Sequence, residues 1–285
     1  MATAIARGAI LSGIASDAAI AFCDTSSEQL DVLKQKFPNC QLTAAPNELF
    51  EKCNRIILAV KPNILLEISS NLEAKITSDH LLVSIAAGIS LGKLANSLGT
   101  ERIIRVMPNT PCQSLEGASG IAVGSSVTPE DYEWCRSIFS AVGKVVRVTD
   151  DQLHGVTGLS GSGPAYVLMM IEALSDGGVM AGLSRQTALE LATQTVLGTA
   201  KMVQETGIHP AILREQVTSP GGTTIAALSS MERAGFRSAV IDGVMAAAKR
   251  SRELAGLSND CPNHSRAAFD MPGEQFRKVD LPSDL

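Results

Sequence analysis

The chain has 285 residues, 45% of them hydrophobic and 4% aromatic, with a net charge of −5. That length supports a sizeable core in one large or two smaller domains, and an acidic, aromatic-poor composition excludes a general nucleic-acid binder, which needs basic excess for phosphates and rings for base stacking. No run of roughly 18 apolar residues occurs, so no membrane-spanning helix is expected, and the six cysteines, at positions 23, 40, 53, 112, 135 and 261, lack paired metal-ligand spacing and read as reduced thiols.

The N-terminal stretch MATAIARGAILSGIA is apolar but is interrupted by Arg7 and Gly8 and has no charged leader, so it does not read as a signal peptide. A cytoplasmic location is the default expectation. The chain opens directly in a helical pattern, ATAIARGAILSG. From there AAIAF (18–22), RIILAV (55–60), HLLVSI (80–85), RIIRVM (102–107), GIAVG (120–124) and KVVRV (144–148) read as strands. Helices are expected at about 26–36, 46–53, 62–73, 90–98 and 129–141, with Pro46, Pro62 and Pro129 at first-turn positions that their fixed φ suits. Such alternation implies parallel strands joined by crossover helices.

After residue 150 the strands stop. Three long segments, at 161–182, 184–207 and 235–256, carry apolar residues at helical spacing, with Ser184 as an N-cap and Gly207 as a terminator. The expected architecture is α/β, a Rossmann-like doubly wound sheet over residues 1–149, followed by an all-helical substrate and dimerisation domain over 150–258. Residues 259–285, rich in Pro, Asp, Asn and Ser, read as a disordered tail. Cys261 and His264 within it have no second ligand pair nearby, and no metal site is expected.

A doubly wound nucleotide site normally begins with a strand, a glycine-rich turn and a helix facing the pyrophosphate. Here the helix comes first, and the next strand is followed by Asp24, a residue type that binds a ribose. The expected sheet is therefore missing its first, central strand, whose neighbours would be left with unpaired backbone groups.

VTSPGGTTIAAL (217–228) is the most informative stretch. Gly221 and Gly222 let backbone N–H groups converge, and the start of a helix adds its positive end, so the segment suits a carboxylate; it equally suits a well-capped turn. AVKP (59–62), SIAAG (84–88) and RVMPNTP (105–111) each follow a strand, and each alone reads as an ordinary strand-to-loop junction. Together they fall at the carboxyl ends of strands, where ligands of this architecture bind.

AVKP, MPNTP, LSGSGPAY (159–166) and VTSPGGTTIAAL, in that order, resemble the pyrroline-5-carboxylate reductase family over roughly residues 1–257. The resemblance implies hydride transfer from NADPH or NADH to the C=N carbon of 1-pyrroline-5-carboxylate, giving L-proline. It implies that Thr224 bonds the imine nitrogen and that Ser219, Gly221, Gly222 and Thr223 hold the carboxylate. It places Asn47 on the adenosine side and Ala59, Val60, Lys61, Pro62, Ala86, Ala87 and Gly88 against the cofactor. Met107, Pro108 and Asn109 lie beside the nicotinamide. Met1 aligns with the Met that closes the family's glycine-rich motif, so about a dozen residues are expected ahead of it. A homodimer or larger ring of dimers follows from the family, with a small-molecule substrate and neither nucleic acid nor membrane as partner.

Reduction favours a protonated imine. His154 and His209 are the ordered candidates to supply the proton, although each reads as a helix-end or surface residue. The Thr224 hydroxyl orients the nitrogen but is too weak an acid to protonate it unaided. Asp24 favours NADH by repelling a 2′-phosphate, whereas Thr25, Ser26 and Ser27 could bond one. Two alternatives stand beside this reading. One is a 3-hydroxyacid dehydrogenase-like enzyme, which would need a catalytic lysine where only Lys201 and Lys249 are placed. The other is an oligomerising chain whose sheet cannot hold the cofactor.

Overall fold

The computed structural model describes residues 1–257; the expected tail lies outside them. The first half alternates as its sequence pattern implies. It runs α1 (Ala2–Leu11), β1 (Ala21–Cys23), α2 (Ser27–Lys36), β2 (Gln41–Thr43), α3 (Pro46–Lys52), β3 (Arg55–Leu58) and α4 (Pro62–Glu73). Then come β4 (Leu81–Ser84), α5 (Leu91–Leu98), β5 (Ile103–Met107), β6 (Gly117–Val123), α6 (Pro129–Ser140) and β7 (Gly143–Arg147). Pro46, Pro62 and Pro129 each occupy the first turn of a helix. At α6, Thr128 and Asp131 form a reciprocal capping box.

The strands form two sheets. β1 and β2 make a parallel pair; β3, β4, β5, β6 and β7 make a five-stranded sheet in that order. β2 went unrecognised in the sequence because three residues, Gln-Leu-Thr, are too few to show alternation. The expectation of parallel strands needs one correction: β6 runs antiparallel to β5. The segment joining them, 108–116, is shorter than the dozen or so residues that a parallel crossover requires. β6 and β7, linked through α6, are parallel again.

Three apolar clusters hold this half together. Leu81, Val83, Ile104 and Val106 pack with Ile5 and Ala9 of α1 and Phe139 of α6. On the other face Leu82, Ile103 and Ile56 pack with Leu65 and Leu72 of α4 and Leu94 of α5. Leu81, Leu82 and Val83 are fully buried, each contributing about 1.5–3 kcal/mol. A smaller cluster of Phe22, Leu33, Phe37 and Cys40 joins the β1–β2 pair to Ala6 of α1. α1 thus packs beneath both sheets.

After β7 the chain is helical. α7 (Leu153–Val156) runs into one π-helical turn at Thr157–Gly161, then α8 (Gly163–Met180). α9 (Arg185–Thr206), α10 (Pro210–Gln216), α11 (Thr223–Arg233) and α12 (Phe236–Leu254) follow. The Ser184 hydroxyl accepts the Thr187 N–H at 3.2 Å, capping α9, and Gly207 ends it in the left-handed conformation, φ 63°. α8 and α9 pair closely, and α12 packs along α7 and the π turn. Yet large apolar side chains stand out from the helices, among them Leu168 at 66% exposure and Met169 at 68%.

Candidate active site

β3, β4 and β5 are parallel neighbours, so their carboxyl ends share one edge of the sheet. Ala59–Pro62, Ala86–Gly88 and Met107–Asn109 all emerge there, as the sequence implied. Ala59, Val60 and Lys61 are exposed, whereas Ala86, Pro108 and Asn109 are buried. Asn47 is exposed on the first turn of α3. At the end of β1, the Asp24 carboxylate accepts the Ser26 N–H at 2.9 Å and helps to turn the chain into α2.

Two of these loops are built into the joint with the helical half. The Asn109 amide donates from Nδ2 to the Ser160 carbonyl at 3.1 Å, while its Oδ1 accepts the Ala118 N–H at 2.8 Å. The loop after β5 is thereby tied to both the π turn and β6. Nearby, a Cβ on Gly161 would fall 2.6 Å from the Met107 methyl, so a larger residue there would require that side chain to shift. Gly88 has φ +74° and a Cβ there would approach the Leu254 Cβ at 3.3 Å. Its small size therefore serves the packing of α12. The π turn itself closes through the Ser162 N–H to the Thr157 carbonyl at 2.8 Å; such turns are frequent at functional sites.

The joint also carries charges that sequence reasoning missed. Arg105 of β5 is buried and pairs with Asp150 at 2.7 Å, and the same carboxylate accepts the Leu91 N–H at 2.9 Å. Asp151 binds Arg252 of α12 at 2.5 Å. The one available signal was the Asp-Asp step where the strands stop. His154 is buried rather than at the surface, with Nδ1 2.8 Å from the Ser251 hydroxyl. Burial, reinforced by Arg105 and Arg252, lowers its pKa, so it is held neutral. His209 is at the surface, where its Nδ1 accepts the Ala211 N–H at 3.2 Å and caps α10. Neither histidine adjoins SPGGTT through a hydrogen bond.

Ser219–Thr224 lead into α11, with Gly222 as its N-cap and Gly221 at φ +65°. Gly222 N–H bonds the Ser219 carbonyl at 3.1 Å, closing the turn. The first-turn amides of a helix lack intrahelical partners, and the Thr224 hydroxyl, half-buried, makes no hydrogen bond among the described residues. No hydrogen bond or ion pair among the described residues links this cradle to the strand-end loops. No group of three metal-ligating side chains occurs among the described residues, and none of their helices is long and apolar enough to cross a membrane. Lys201 pairs with Glu205 at 3.5 Å on the surface, which leaves it no catalytic setting.

Comparisons with known proteins agree with this layout. Residues 150–254 match the family model described as pyrroline-5-carboxylate reductase dimerisation, and residues 1–88 match the model described as NADP oxidoreductase, coenzyme F420-dependent. Pyrroline-5-carboxylate reductase of Arabidopsis thaliana is 45% identical over 256 residues, covering 90% of this chain and 92% of its own. The enzyme of that name from Escherichia coli is 40% identical, covering 90% and 95%. A solved pyrroline-5-carboxylate reductase from Coxiella burnetii superposes with TM-score 0.83 at 34% identity, covering 89% and 94%. The Plasmodium falciparum pyrroline carboxylate reductase, solved with NADP bound, gives 0.79 at 32%, covering 88% and 93%. At these identities, and over most of each chain, the protein belongs to the pyrroline-5-carboxylate reductase family.

Proposed function

We propose that this chain reduces 1-pyrroline-5-carboxylate to L-proline with NADPH or NADH. The observation that carries the reading is the convergence of AVKP, SIAAG and MPNTP on one sheet edge, combined with a separate anion cradle at the start of α11. The cofactor supplies hydride. The chain's own groups bind and orient: Ala59–Pro62, Ala86–Gly88 and Met107–Asn109 form the cofactor edge, and Asn47 and Asp24 lie on its adenosine side. Asn109 acts through position, because its amide holds the π turn in place. The amides around Ser219, Gly221, Gly222 and Thr223 suit the substrate carboxylate, and the free Thr224 hydroxyl suits the ring nitrogen. His154 is buried and bonded to Ser251 rather than to the cradle, so water or a substrate arriving protonated meets the need for a proton.

The chain works as a homo-oligomer in this reading. Leu168, Met169, Leu197, Ile241 and Met245 are all more than half exposed on the helices, as expected of surfaces that a second protomer covers. Pairing of helical halves supplies the route by which the cradle meets a cofactor edge. Cytoplasmic location accords with the reaction class. Residues 1–149 serve the cofactor and 150–258 the substrate and the dimer.

A coupled assay following nicotinamide absorbance with the cyclic imine tests the reading. Thr224→Ala is expected to lower kcat/KM by about 10- to 100-fold, as loss of an orienting bond does. Unchanged kcat/KM would remove Thr224 from the site. Cofactor binding is tested apart from turnover by titrating NADPH fluorescence on the chain, where saturable binding is expected.

A further inference from the structure

Ala86–Gly88 and Met107–Asn109 leave neighbouring strands, β4 and β5, and one side chain is bonded to the chain beside both. Asp150 accepts from Arg105 Nη1 at 2.7 Å through Oδ1 and from the Leu91 N–H at 2.9 Å through Oδ2. Leu91 opens α5, three residues beyond Gly88, and Arg105 stands two residues before Met107. In register, Arg105 is opposite Ser84, whose hydroxyl accepts the Ala86 N–H at 3.3 Å. The Asp150 carbonyl accepts the Leu153 N–H at 3.3 Å, so the same residue starts the turn that leads through α7 to the π turn. There the Ser160 carbonyl holds Asn109 at 3.1 Å. Met107–Asn109 is thereby tied to residues 150–160 on both of its sides, and Ala86–Gly88 shares the first of those ties.

We propose that Asp150 is a positioning residue of the cofactor edge: by bonding Arg105 and Leu91 at once it sets the spacing between Met107–Asn109 and Ala86–Gly88, and with it the seat of the nicotinamide. Arg105 is 2% exposed in the middle strand of the five-stranded sheet. Burying such a pair costs desolvation that its attraction roughly offsets, so it adds little net stability over apolar residues of similar volume. What it adds is a fixed distance, since parting the two groups leaves a charge buried and unpaired. A shift of about 1 Å in a positioning segment is enough to lower turnover by about 10²-fold. The seat of the nicotinamide rests on the reductase reading; the spacing of the two loops does not. The cradle at Ser219–Thr224 has no hydrogen bond to Asp150, Arg105 or Leu91 among the described residues, so affinity for the imine is not expected to follow.

The test uses the full chain. In Asp150→Ala, amide exchange is expected to quicken by about tenfold at Leu91, at Ala86 and at Ala118, whose N–H is held by Asn109. Ile57 of β3 should keep its rate. In Arg105→Met the carboxylate retains Leu91, so Leu91 is expected to keep its rate while Ala118 quickens. In the reductase assay, Asp150→Ala is expected to raise KM for NADPH by about tenfold and to lower kcat, with KM for the imine within about twofold. Asp131→Asn, which weakens the Arg102 pair at the other end of β5, is the control for a merely structural loss: both KM values should stay within about twofold. Quickened exchange at Leu91 alone overturns the proposal, as does an Asp150→Ala enzyme whose two KM values match those of Asp131→Asn. Absence of turnover by the unaltered chain would instead count against the reductase reading, and the exchange rates would still decide whether Asp150 spaces the two loops.

Discussion

The two halves of the molecule bury themselves to different degrees. In the sheet half, β4 is buried at every residue and its neighbours are covered by helices on both faces. In the helical half, α11 has no buried residue, α8 only Ser175 and α12 only Ser251. A sheet covered on both sides supplies its own core, whereas long helices with apolar residues on several faces need neighbours that one chain does not provide. The sheet half thus buries its own apolar residues, whereas the helical half leaves many of its large apolar side chains exposed.

The largest expected effect breaks the helical side of this comparison. Ile241 and Met245 lie one turn apart on α12, both more than half exposed. Placing Asp at both is expected to weaken self-association by roughly 10²-fold or more, because burying unpaired charge at an interface is costly. Sedimentation equilibrium over a concentration series reads this, and an unchanged mass distribution would show that α12 is not at the interface.

Next is the sheet side. Asp131 is buried, bonds Arg102 through both oxygens at 2.8 Å, and caps α6. Asp131→Asn is expected to lower stability by roughly 3 kcal/mol, as removal of one partner from a largely buried pair does. Urea unfolding would reveal it as a lower midpoint with an unchanged slope. The bond to Arg102 lowers the Asp131 pKa. Stability from this group is thus present above the unfolded carboxylate value, near 3.9, and lost as pH falls through the lower folded value.

His154 sharpens the comparison at the joint. Its folded pKa is lowered, so between that value and an unfolded value near 6.5 the unfolded chain binds more protons. Stability is expected to decline as pH drops below about 6.5, and the decline should flatten in His154→Gln. A parallel decline in both proteins would assign it to other groups. The smallest effect is Lys201→Ala, expected within about 0.5 kcal/mol in stability because the Glu205 pair is exposed. Activity should be unaltered; a large loss would revive the dehydrogenase alternative that needs a catalytic lysine.

Most of the sheet half was legible because its strands are short apolar runs punctuated by proline and glycine. Pro62 and Pro129 mark helix starts without help from tertiary structure. The division between β1 and β3 was legible too: among the described residues β1 pairs with β2 alone and β3 with β4 alone. What stayed hidden depends on distance in the chain. Arg105 finds Asp150 and His154 finds Ser251 only after folding, and the reversal at β6 is a consequence of connection length rather than residue pattern. In the site, the motifs identified Asn109 and Gly88, but their packing against Ser160 and Leu254 could not be read from them.

Asp150 and Asp151 are consecutive, yet one grips the sheet through Arg105 and Leu91 and the other grips α12 through Arg252. These two grips act with the Asn109–Ser160 bond in setting the register between the two halves. One residue inserted between the two aspartates would displace the second grip by up to about 3.8 Å, more than either ion pair can stretch. An insertion at 150–151 is therefore expected to cost the joint one of its two grips, whichever residues surround it.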